Sequence, residues 1–219
     1  SVVNNINSSK DKKIIDPSKL KGYLDAVVDI EGTDFDDLYI DLKISGQVWT
    51  KGRKDQIDFK GRPFIAQIKG PLQSGTGEFS LLNVPIAILY LIFPVPSTLK
   101  GQFGLVGTYS YKKGRPLVTA DLILDDTKVD DDELVLEQGR INFEDQIVTV
   151  NIAVRSLSSK NPLIISGKIP TTKDLSFDLR VESHGEGIQF LDGLSNGNIL
   201  WEEGTIDLRF IVKGTLLSP

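Results

Sequence analysis

The sequence predicts an all-β protein built on antiparallel sheet, with one or two short helices. Two observations carry this. Apolar and polar residues alternate with period two over most of the chain, which is the mark of strands with one dry face. Turn-forming clusters such as EGTD, KGRK, SSKNP and TTKD separate the alternating runs. The composition is that of an ordinary folded domain: 219 residues, 40% hydrophobic and 25% charged.

Taken in order, residues 1–18 are rich in Asn, Ser and Lys and are expected to be a flexible lead-in. Residues 19–219 are expected to form the β domain. In KGYLDAVVDIEG, Leu24, Ala26, Val28 and Ile30 share a face, with Asp25, Asp29 and Glu31 off it. In LYIDLKISGQVW, Leu38, Ile40, Leu42 and Ile44 share a face, with Asp41 and Lys43 outward. Ile57 and Phe59 follow, then Phe64, Ala66 and Ile68. Val118, Ala120, Leu122 and Leu124 alternate with polar neighbours, and Ile141 with Phe143 suggests a short strand. The same alternation covers Val148 to Val154, Ile165 to Ile169, Leu175 to Val181, and Ile206 to Val212, the last including Leu208 and Phe210. A slip of one residue would turn every one of these apolar sets toward water, so register is strongly specified. Two segments depart from the alternation. Asn83 to Pro94 has a Pro near each end and is expected to be a short apolar helix; Gly187 to Leu194 is a second helix candidate.

Three stretches resemble one another: SKLKGYLDAVVDIEGT, STLKGQFGLVGTYS and ILWEEGTIDLRFIVKGT. Each has a Gly (Gly22, Gly101, Gly204), an alternating strand and a Gly-Thr pair, and the last two each follow a helix candidate. This divides the domain into irregular repeats at about residues 19–96, 97–198 and 199–219, units of the kind that stack to bury a shared apolar face.

The chemistry-bearing residues are few. A net charge of −5, with Lys and Arg spread along the chain, argues against nucleic acid as a partner. Cys is absent, so neither a disulfide framework nor a thiolate metal site can form. His184, in VESHGEG, is either a base or ligand beside Glu182 and Glu186 or an exposed turn residue. The cluster Asp125, Asp126, Asp130, Asp131, Asp132 and Glu133 is either a calcium site or a charged hairpin end that blocks edge pairing. Neither a nucleophile elbow nor a phosphate loop is present. The expectation is a non-enzymatic protein with no catalytic residue, metal or cofactor.

Met is also absent, including at position 1, and Ser1 to Lys13 does not read as a signal peptide. The longest apolar run, Val84 to Val95, is interrupted by Pro85 and Pro94 and falls short of the roughly 20 residues a spanning helix needs. The chain is therefore expected to be an excised or processed segment of something longer, and if the parent protein is membrane-anchored the anchor is expected to lie outside this segment.

The order of motifs in the closing stretch, LSFDLRVESHGEGIQFLDGLSNGNILWEEGTIDLRFIVKGTLLSP, resembles the repeats of TamB-like proteins of bacterial envelopes, relatives of the AsmA-like group. The middle block, NVPIAILYLIFPVPSTLKGQFGLVGTYSYKKGRPLVTADLIL followed by ELVLEQGRINFEDQIVTV, is similar to them as well. The resemblance covers residues 18–219, and the wording of the repeats is closest to cyanobacterial and chloroplast-envelope members. It implies an elongated, curled antiparallel or mixed sheet folded into a taco-like groove. It implies a periplasmic segment of an inner-membrane-anchored protein, or one in the chloroplast intermembrane space. The function implied is phospholipid transfer between inner and outer membranes. The alternative is a chaperone-like module for outer-membrane protein assembly or protein translocation, with an outer-membrane assembly protein as partner. The expected groove lining is the in-facing set. It comprises Leu24, Val28 and Ile30; Leu38, Ile40 and Leu42; Phe103 and Leu105; Leu122; Val150 and Ile152; and Leu179, Leu208 and Phe210. Periodicity alone leaves open whether these residues line a hollow groove or fill a closed core. The Pro85–Phe93 segment could plug such a groove or touch a membrane, and its lack of a charged face disfavours the second role.

Overall fold

The computed structural model describes residues 20–34, 37–50, 63–86, 88, 98–112, 114–172, 175–188 and 204–215. The expected lead-in and the expected strand at Ile57 and Phe59 lie outside these residues.

Among the described residues, eleven strands form one sheet in sequence order: β1 (Leu20–Glu31), β2 (Tyr39–Thr50), β3 (Phe64–Pro71), β4 (Thr76–Pro85), β5 (Leu99–Lys112), β6 (Arg115–Val129), β7 (Asp132–Glu144), β8 (Ile147–Ser156), β9 (Leu163–Pro170), β10 (Ser176–Ser183) and β11 (Leu208–Thr215). Each strand pairs antiparallel with the one before it, so the sheet is a pure meander. The all-β class is as the alternation predicts. The curled, taco-like shape is not: the sheet is open and uncurled, with β1 and β11 as its two edges, and of the antiparallel and mixed alternatives it is antiparallel throughout. Among the described residues, each strand packs chiefly on its two sequence neighbours, as a single layer must.

Three bulges explain why the apolar parity changes within single strands. On β4 the register shifts between Leu81 and Val84, and Asn83 sits at φ 56°. Opposite β5, the shift falls between Lys100 and Gln102, with Asp126 at φ 46° on β6. On β7 it falls between Leu136 and Gln138. An extra residue in one strand turns all that follows by one position. Leu122 and Leu124 therefore share a face with Val129, and Leu134 and Leu136 share a face with Ile141 and Phe143. What reads in sequence as a short strand at Ile141 is the second half of the 13-residue β7. The second bulge is held by the buried Thr127, whose hydroxyl donates to the Gln102 carbonyl at 3.1 Å. Gly101, at φ 114°, lets the backbones of β5 and β6 touch there; a Cβ would meet Thr127 Cα and Asp126 O.

The first helix candidate is corrected at its start. Asn83, Val84 and Pro85 are the last residues of β4, and Val84 is buried opposite Phe103. Pro is tolerated there because it ends the ladder beyond a bulge. Residues 87 and 89–94 lie outside the described set. Of the second candidate, Gly187 and Ile188 end a turn over residues 185–188, and the remainder lies outside the described set.

Candidate functional site

Residues directly opposite one another across an antiparallel pair lie on the same face. Following register from edge to edge therefore tests whether one apolar surface crosses the molecule. It does. Val28 faces Leu42, Leu42 faces Ile68, and Ile68 faces Phe79. Phe79 faces Gly107, Gly107 faces Ala120, and Ala120 faces Ile141. Ile141 faces Val150, Val150 faces Gly167, Gly167 faces Leu179, and Leu179 faces Val212. This row runs through all eleven strands with no polar side chain in it. Beside it a second row runs from Ala26 through Ile44, Ala66, Leu81 and Leu105 to Leu122. The row resumes at Gly139 and continues through Ile152, Ile165 and Val181 to Phe210. The two parts abut, since a Cβ on Gly139 would lie 2.8 Å from Leu122 Cβ.

The expected lining residues fall on this one face. Leu24, Val28 and Ile30 are on β1; Ile40 and Leu42 face Ile30 and Val28 from β2. Leu38 precedes β2, half-buried, in alternation with Ile40. Phe103 and Leu105 face Leu124 and Leu122. Exposure rises toward the edges. Val150, in the middle, is 8% exposed, whereas Leu24 is 63%, Ile30 61% and Phe210 55% exposed. Leu42, Phe103, Leu105, Leu122, Ile152, Leu179 and Leu208 are half-buried. Leu208 packs against a compact cluster of Val129, Leu163 and Ile188, so it supports one end of the face from within. Ile188 reaches that cluster from the turn after β10, where Gly187 N–H donates to the His184 carbonyl at 3.1 Å.

Sequence reasoning missed how the face is levelled between β2 and β5. Three aromatic side chains stand directly opposite glycines: Phe64 opposite Gly46, Phe79 opposite Gly107 and Tyr109 opposite Gly77. In each pair the ring occupies the space that a side chain on the glycine would take. Tyr109 also reaches past Gly77, and a Cβ on Gly70 would lie 2.8 Å from its hydroxyl. Only register brings these pairs together, and register is not written in either strand alone. The Tyr109 hydroxyl is buried with no hydrogen-bond partner among the described residues. Burial, followed by the neighbouring Tyr111 and Tyr39, pushes its pKa up. The rings of Tyr109 and Tyr111 meet edge-on with centroids 6.1 Å apart.

The opposite face is polar and laddered with ions. Arg140 Nη1 donates to both Asp121 oxygens (2.7 and 2.8 Å), and Arg155 Nε donates to Glu137 at 2.7 Å. Asp41 accepts from Gln67 at 3.1 Å and lies 3.5 Å from Lys43 Nζ. Arg209 pairs with Glu182 at 3.0 Å, and Lys213 with Asp178 at 3.6 Å. Exposed pairs of this kind contribute little stability each, yet they keep this side wet.

His184 is an exposed residue beyond β10, with Nδ1 3.0 Å from Asp207 Oδ1. Glu182 is turned toward Arg209 instead. The acidic cluster sits at the β6–β7 hairpin end, whose turn is Asp130–Asp131. No group of three or more His, Asp or Glu placed to hold a metal occurs among the described residues. No helix among the described residues is long and apolar enough to cross a membrane. No model of a known protein family matches this chain, and neither does a curated protein or a solved structure.

Proposed function

We propose that this chain is a non-enzymatic envelope scaffold that carries phospholipid acyl chains along its apolar sheet face between the inner and outer membranes. The observation that carries the reading is the unbroken apolar row from Val28 to Val212. A lipid tail can lie across it without meeting a polar side chain, while its headgroup stays in water at an edge. The resemblance to TamB-like proteins supplies the envelope setting: the periplasm, or the chloroplast intermembrane space.

The open sheet changes the energetics expected of a groove. A methylene fully removed from water gains about 0.8 kcal/mol, so a twelve-carbon tail fully enclosed would gain on the order of 10 kcal/mol. A tail lying on an open face is covered on one side, and gains roughly half of that. Capture is then weak enough to allow sliding from one position to the next. No chemical step is needed.

A second reading, a chaperone-like module for outer-membrane protein assembly or translocation, is favoured by one observation. Edge strand β1 exposes apolar side chains on both faces, with Val27 60% exposed on the polar side, and edge strands can accept an extended segment.

A photo-crosslinker at Leu42 or Ile152, on the apolar face, is expected to capture phospholipid from vesicles or extract. One at Lys43, on the other face, is expected not to. Equal labelling at Lys43, or capture of unfolded polypeptide in place of lipid at Leu42, would overturn the lipid reading.

A further inference from the structure

The two edges of the sheet carry opposite charge on the polar face. Over residues 22–31, β1 has Asp25, Asp29 and Glu31 and no cation; over residues 208–214, β11 has Arg209 and Lys213 and no anion. The spacing matches as well. Asp25, Val27 and Asp29 alternate on β1 as Arg209, Ile211 and Lys213 do on β11, each set placing an exposed β-branched residue between two charges. Ten successive antiparallel pairings leave β1 and β11 running in the same direction.

We propose that β1 of one molecule pairs in parallel with β11 of a second copy, extending the sheet head to tail. The geometry selects this arrangement. A second copy translated sideways keeps its apolar face on the same side and presents β1 parallel to β11. Asp25 then lies beside Arg209, Val27 beside Ile211 and Asp29 beside Lys213. On the other face Ala26 meets Phe210, which continues the second apolar row into the next molecule. The competing two-fold pairings place β1 against β1 or β11 against β11. Those set acid against acid and base against base, and like charges directly opposite one another are destabilising. Contact of unlike edges does not close on itself, so it grows with concentration. The edge contact does not depend on what occupies the apolar face.

Sedimentation velocity over a concentration series tests it with the whole chain. Wild-type protein is expected to associate in a concentration- and salt-dependent way. D25K/D29K and R209E/K213E variants, each checked for β content by circular dichroism, are expected to weaken association at least about tenfold. A mixture of the two variants is expected to recover it, because every remaining contact between unlike variants is again oppositely charged. Because the chain has no cysteine, a second measurement avoids disturbing the ion pairs of β11. Val27→Cys mixed with Ile211→Cys is expected to form a disulfide-linked dimer under mild oxidation, and Val27→Cys alone is not. Wild-type protein that stays monomeric, association that ignores charge reversal, failure of the mixture to recover, or linkage by Val27→Cys alone would each overturn the proposal.

Discussion

Phe79 on β4 stands directly opposite Gly107 on β5, and its ring fills the place a Gly107 side chain would take. The fit is bounded by backbone on the far side. A Cβ on Gly107 would meet Thr119 O and Ala120 Cα as well as Phe79 Cζ. Backbone cannot yield as a flexible side chain can. Gly107→Ala is therefore expected to cost about 1–3 kcal/mol through overpacking, and Phe79→Ala about 2–3 kcal/mol through lost burial. The double variant should cost less than the sum, since the alanine side chain then has the vacated ring space beside it. Urea denaturation midpoints check all three values.

Tyr109 offers a test of opposite sign. Its hydroxyl is buried without a partner among the described residues, so Tyr109→Phe removes an unsatisfied polar atom and is expected to be neutral or to stabilise by about 1 kcal/mol. Its raised pKa also sets a pH dependence. The folded value lies above the unfolded one, so this stability is complete below the unfolded tyrosine pKa of about 10. It is lost as pH rises through the folded value. Thermal unfolding measured from pH 8 to pH 11 should show wild type losing stability more steeply than Tyr109→Phe.

Asp37 works in the other direction. Its carboxylate accepts from the Asp34 amide at 2.8 Å, the Thr33 amide at 3.0 Å and the Thr33 hydroxyl at 3.1 Å, closing the β1–β2 connection. The Asp34 amide bond is the leading cause of its lowered pKa, helped by Thr33. A lowered folded pKa means that the order it gives is present above the unfolded value of about 3.9 and fades as pH falls through the folded one. An NMR titration following the Thr33 and Asp34 amides should report a midpoint below 3.9. Asp37→Asn should abolish that transition.

The two faces should answer differently to charge. Asp121→Ala, on the polar side, removes one exposed ion pair with Arg140 and is expected to cost under about 1 kcal/mol. Ile68→Lys places a cation in the central apolar row at a partly exposed site. It should leave the sheet folded while lowering phospholipid capture from vesicles at least about fivefold, because a lipid tail crossing it must desolvate the ammonium. Unchanged capture by Ile68→Lys would mean that lipid does not cross this row.

The strands were legible wherever alternation ran unbroken. Leu24 to Ile30 on β1 and Val148 to Val154 on β8 lie where period two places them. Legibility failed at bulges. Leu136 and Ile141 are out of phase in sequence and in phase on the sheet, because β7 carries an extra residue between them. The end of β4 was hidden for the same reason, since Asn83 at φ 56° and Pro85 imitate a helix start. The apolar face was readable residue by residue, but its continuity was not. Whether Val28 and Val212 end one row depends on ten registers, and sequence periodicity fixes which way a side chain points without fixing its partner. Shape was least legible of all. Alternation is the same in a flat sheet and a curled one.

Strand order has a consequence for size. Each strand adds about 4.8 Å to the width of a sheet, so eleven strands paired in sequence span roughly 48 Å. In a meander no strand depends on a distant one, so a hairpin gained or lost changes the span by about 10 Å and leaves the remaining pairings in place. Reach in such a molecule is a count of hairpins. A gene could lengthen or shorten it by duplication or deletion, with no new fold to invent.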